Sequence, residues 1–119
     1  MSKFIVVALM MFVASFTVWA ADENKPAESV TVKGEVVDLA CYLGHGATGE
    51  KHADCATTCI DSGLPVGLKT EDGKTYIVIG EHKPINKELA KLAGKTVTLK
   101  GKVSERDGMR LLANAEIVK

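Results

Sequence analysis

The chain has 119 residues, with 15 basic against 15 acidic side chains and 5% aromatic residues. That length supports one domain with a modest core. The even charge lacks the basic patch of a nucleic-acid footprint, and Tyr42 and Tyr76 are the only aromatics beyond residue 20, too few for a base-stacking platform. No nucleic-acid partner is expected.

The first residues read MSKFIVVALMMFVASFTVWAAD. Lys3 precedes an apolar run from Phe4 to Trp19, and Val18 and Ala20 stand at the two positions a signal peptidase reads. Residues 1–20 are therefore expected to be a secretory signal peptide, cleaved after Ala20. The competing reading is an uncleaved anchor, since a run of about 18 apolar residues can span a bilayer. Cleavage predicts a periplasmic or secreted protein with no stable membrane insertion. Residues 21–29, ADENKPAES, are polar, carry Pro26 and are expected to form a flexible leader.

The domain is expected from residue 30 to residue 119. VTVKGEVVDLAC begins it, with Val30, Val32 and Val36 alternating against Thr31, Lys33 and Glu35, the pattern of a half-buried strand. Val36-Val37 breaks that parity near Gly34 and predicts a bulge or a sharp coil. A Cys/His-bearing insertion follows at about residues 40–63. Pro65 to Thr70 and Thr75 to Ile79 read as two strands joined by a turn at Asp72-Gly73. In PINKELAKLAG, Ile85, Leu89 and Leu92 share one helical face, with Gly94 as a natural terminator. That stripe is read as core packing. TVTLKGKVSE and MRLLANAEIV, turned at Arg106-Asp107-Gly108, supply the last two strands. Residues 30–37 and 97–104 match at five of eight positions, which predicts two similar strands that each coil at a glycine.

The predicted class is mainly β: a five-stranded OB-fold-like barrel, one helix between strands three and four, and a helical insertion between strands one and two. The chain resembles small exported bacterial OB-fold proteins, in which a V-x-V-x-G-x-V strand recurs in the same places. The resemblance covers roughly residues 30–39 and 65–118 and implies the barrel. The insertion departs from it, in a loop that often borders the ligand face of OB-folds. CYLGHG followed by HxxCAxxCI and PVGL also resembles a group of small exported bacterial proteins, which supports the segment as a unit and supplies no chemistry.

CYLGHGATGEKHADCATTC, Cys41 to Cys59, holds all three cysteines and two of the three histidines. His52, Cys55 and Cys59 are spaced i, i+3 and i+7, within about 60° of one another on a helix face. Cys41 is expected at the end of the first strand, folded back against that face. Cys41, His52, Cys55 and Cys59 would form a Cys₃His tetrahedron suited to zinc or copper, with His45 as a reserve ligand. A carrier, a sensor and a structural site all remain open. The absence of CxxCH excludes covalent c-type haem attachment. Cys55-x-x-x-Cys59 lacks both the following proline and the histidine four residues on that known copper families carry at this spacing, since positions 60 and 63 are Ile and Gly.

Two other readings compete. A disulfide from Cys41 to Cys55 or Cys59 would staple the insertion in a ligand-binding OB-fold module. A redox pair would use Cys55 and Cys59 for thiol–disulfide exchange. Export favours pairing, and three cysteines cannot all pair within one chain. An unidentified exported protein is open as a partner. His82 and Met109 read as a loop and a barrel-lip residue. No acid/base carboxylate pair, phosphate loop or Ser/His/Asp order is visible, so no catalytic residue is assigned.

Overall fold

The computed structural model describes residues 28–119, so the expected signal peptide and most of the leader lie outside the described residues. Five strands close into a barrel in the order β1-β2-β3-β5-β4. They are β1 (Ser29–Asp38), β2 (Val66–Lys69), β3 (Thr75–Val78), β4 (Thr96–Arg106) and β5 (Met109–Ile117). Neighbours are antiparallel except β3 and β5, which run parallel and close the barrel. Helix α3 (Asn86–Ala90) joins β3 to β4; α1 (Leu39–His45), a single 3-10 turn (Glu50–His52) and α2 (Ala53–Asp61) form the insertion between β1 and β2. This is the predicted fold class. Among the described residues no helix is long and apolar enough to cross a membrane.

β1 serves two partners in turn. Ser29 to Glu35 pair with β4, then Glu35 to Asp38 pair with β2. The hand-over needs a sharp coil, and Gly34 permits it: a Cβ there would stand 2.5 Å from the Lys69 carbonyl oxygen. The pairing of β1 shows no register shift, so the parity break at Val36-Val37 is not a bulge. Both faces of the strand are covered there. Val36 belongs to the barrel core, whereas Val37 is buried to 2% exposure outside that cluster. A strand buried on two sides reads as a continuous apolar run.

The two echoing segments lie side by side. Gly34 faces Val97 and Gly101 faces Val30, so each glycine stands opposite the other strand's first valine. Gly101 lies against the Ala113 carbonyl, at the one place where the pairing of β4 with β5 slips.

The core is filled by Val36, Leu68, Val78, Leu99 and Leu112 from the strands, Leu89 from α3, and Ile60 and Ala56 from α2. Ile85 and Leu92 pack against it as the helical spacing predicts, although α3 itself is short and Ile85 is its N-cap. Gly94 adopts φ 76° and donates its N–H to Val36 at 2.8 Å, so it stitches the helix exit to β1.

Polar bonds hold the insertion to this frame. Asn86 Nδ2 donates to the Ile60 and Leu64 carbonyls at 2.9 and 2.8 Å. Thr57 Oγ1 donates to the Ala90 carbonyl at 2.9 Å, and the Gly49 N–H donates to Glu35 Oε1 at 3.0 Å.

The close approach at Gly34 makes a direct prediction. Gly34→Ala forces backbone apart and should cost about 1–3 kcal/mol, read as a lower urea midpoint at unchanged slope. Gly44→Ala is the control, since nothing lies within 4 Å of its Cβ position and alanine favours the helix. Equal midpoints for the two variants would contradict this account of the strand.

Candidate metal centre

The chain turns from strand to helix at Asp38. Its backbone is extended (φ −77°, ψ 112°) and its Oδ1 accepts the Ala40 N–H at 2.9 Å, a side-chain N-cap. Cys41 is therefore not on the strand side, as the sequence suggests, but in the first turns of α1. Gly46, at φ 72°, ends that helix by donating to the Tyr42 carbonyl at 2.8 Å. His52 closes the 3-10 turn and is the N-cap of α2, which carries Cys55 and Cys59 one turn apart. Ala56 and Ile60, each about 100° round α2 from the cysteine before it, enter the core, and that burial fixes the rotation of the helix.

Two groups of ligand atoms result. The thiols of Cys41, Cys55 and Cys59 lie within 4.8 Å of one another, and so do atoms of Asp38, Cys41 and His52. All four expected ligands thus gather in one region and could hold a metal ion. They do so as two sets sharing Cys41, because His52 meets the thiols through Cys41 and in company with Asp38. Tetrahedral zinc, with bonds of about 2.0–2.3 Å, needs ligand atoms roughly 3.3–3.8 Å apart. His45, the reserve ligand, is exposed at the end of α1 and meets His52 edge-on, with ring centroids 6.4 Å apart. It stands beside the centre and in neither set.

Asp38 is the member that sequence reasoning missed. Its signal was local: an acid at the end of a strand, two residues before Ala40 and three before the first cysteine, in N-cap position. It is buried to 1% exposure, and its Oδ2 has no hydrogen-bond partner; the buried Nε2 of His52 also has none.

The electrostatics follow from that burial. Burial pushes the Asp38 carboxyl up, but the Cys41 and Cys59 thiols and the Ala40 and Cys41 amides outweigh it and hold the group below its ordinary value. The carboxylate acts on the thiols in return. Asp38, then burial, pushes Cys41 up to about 12, and Cys59 is raised by the same two causes. All three cysteines are free thiols, so the structure holds no disulfide staple. Cys55 is exposed, and Cys41 and Cys59 are half-buried.

Away from the centre, a groove of about 510 Å³ is lined by Lys33, Glu35, Thr48, Lys69, Asp72 and Tyr76 among others. Its charges are mixed, and none of the cysteines or histidines reaches it. His82 and Met109 are exposed and stand in neither ligand group.

Comparison with known proteins adds no assignment. No protein-family model, curated protein or solved structure matches the chain.

The raised thiol makes a chemical prediction. A value of about 12 against an ordinary 9.0 leaves Cys41 a thiolate fraction about a thousandfold below that of a free thiol at neutral pH. In the reduced, metal-free protein, iodoacetamide at pH 8 should label exposed Cys55 roughly tenfold or more faster than Cys41. Cys41 should become reactive only as pH rises toward 12. Peptide mapping that finds Cys41 labelled as fast as Cys55 at pH 8 would contradict the role given to Asp38.

Proposed function

We propose that this is an exported, non-enzymatic protein that binds zinc or copper(I) through Cys41, Cys55 and Cys59, with His52 at the same centre, and carries the ion in exchangeable form. The convergence of three thiols from two helices on one point carries this reading. Thiolate-rich sites suit copper(I) and zinc, and imidazole is compatible with both. Export rests on the N-terminal signal pattern, and the odd cysteine count fits ligands better than pairs.

Two observations favour a carried ion over a structural one. Cys55 is exposed, which leaves one side of the centre open to a receiving protein. The insertion is held by Asn86, Thr57, Glu35 and the buried Ile60, none of which is a ligand. Removing the ion leaves those bonds in place. The raised Cys41 and Cys59 thiols weigh against a redox pair, since an exchanging nucleophile needs a lowered thiol pKa.

Metal uptake tests the reading directly. The full chain, purified with thiols reduced, should take up Zn²⁺ or Cu⁺, and Cys59→Ser should weaken binding more than tenfold while His45→Ala leaves it nearly unchanged. A chelator should strip the ion without loss of the far-ultraviolet circular dichroism of the barrel. Failure to take up either ion sinks the proposal, and unfolding on chelation replaces the carrier with a structural site.

A further inference from the structure

Cys41 belongs to both groups of ligand atoms, and the inner group has its own marks of a site. Asp38 is 1% exposed; its Oδ1 is engaged by the Ala40 N–H, and its Oδ2 has no partner. His52 Nε2 is buried without a partner as well. Both residues line a small recess of about 10 Å³, walled by Val36, Val37 and Ala56, with Cys41 outside its lining. Buried polar groups without partners are costly, and folded proteins seldom keep two around one space. A water needs about 10–15 Å³, so this cavity is at the lower limit for water, while a bare divalent cation is smaller.

Charge leads to the same place. Three thiolates and the Asp38 carboxylate would carry four negative charges. One divalent ion would leave half of that charge uncompensated around a carboxylate that is 1% exposed and would have lost the thiol protons that face it, and burying net charge is disfavoured. Two divalent ions balance it.

We propose that the centre holds two divalent ions of the zinc class bridged by the Cys41 thiolate. Cys41, Cys55 and Cys59 bind the outer ion, and Asp38, Cys41 and His52 bind the inner one. This rests on the metal-binding reading above and adds the number of ions and their arrangement. On binding, each thiol releases its proton to solvent and its sulfur donates the freed electron pair to metal; Cys41 sulfur donates to both ions. Paired metal sites place their ions about 3.5–4 Å apart, a spacing that one shared sulfur can span. The carboxylate and imidazole donors make the inner position a better site for zinc than for copper(I). The outer ion, held in part by exposed Cys55, keeps three protein ligands and one open position.

Native mass spectrometry of the reduced full chain titrated with Zn²⁺ tests this. The wild type should hold two Zn²⁺ per chain, and Asp38→Asn and His52→Ala should each hold one. Asp38→Asn keeps a side-chain oxygen for the Ala40 cap, and the His52 side chain makes no capping bond, so the two variants fail to fold for different reasons if they fail at all. One Zn²⁺ in the wild type, or two that survive both substitutions, overturns the two-ion centre and leaves metal carriage standing. Uptake of Cu⁺ without Zn²⁺ does the same. Uptake of neither ion overturns both readings.

Discussion

Asp38 is the point on which the centre depends. An ionised carboxylate removed from water is tolerated only when nearby groups bond to it. Here the Ala40 amide and the Cys41 and Cys59 thiols supply that environment. The same carboxylate ends β1 and starts α1, and the cap swings Cys41 off the strand toward α2. Thiol protons then sit where a metal would replace them, so the metal-free centre is a protonated version of its proposed loaded form. In the proposed loaded form, the carboxylate that raises the thiols would also supply a ligand oxygen once those protons leave.

The rest of the insertion is arranged so that the centre does not have to hold the fold together. Ile60 and Ala56 anchor α2 in the core, and Asn86 and Thr57 tie the same helix to α3 through backbone carbonyls. None of these contacts uses a thiol. Removing Cys55 or Cys59 therefore costs little packing, whereas removing Ile60 would expose the barrel end and release the helix that carries both. Small zinc domains that lack such anchors unfold without their ion. Here a core shared by the barrel, α3 and α2 would, in the proposed carrier, separate stability from occupancy.

Much of the architecture was legible in the chain. Alternation at Val30, Val32 and Val36, the Asp72-Gly73 and Asp107-Gly108 turns, and the stripe through Ile85, Leu89 and Leu92 each place an element where the structure has it. The echo between residues 30–37 and 97–104 becomes a pair of adjacent strands with reciprocal glycines. At Val36-Val37 the pattern left a bulge or a sharp coil open, and β1 passes from β4 to β2 there without a register shift. Periodicity records which side of a strand is buried. It cannot tell a register change from a second layer covering the other face, and that layer is the insertion.

The amino-acid order by itself determined the five-stranded class, the place of the insertion, and the presence of three thiols and a histidine at ligand-like spacing. Local rules sufficed, because alternation, turn residues and helical spacing act over a few neighbours. Only the tertiary structure decided that Cys41 lies on a helix, that His52 reaches the thiols through Cys41, and that Asp38 is buried among them. Those outcomes depend on how β1, α1 and α2 meet over the end of the barrel. An acid reads as an ordinary solvated group until packing elsewhere removes its water, and no local pattern at Asp38 encodes that packing.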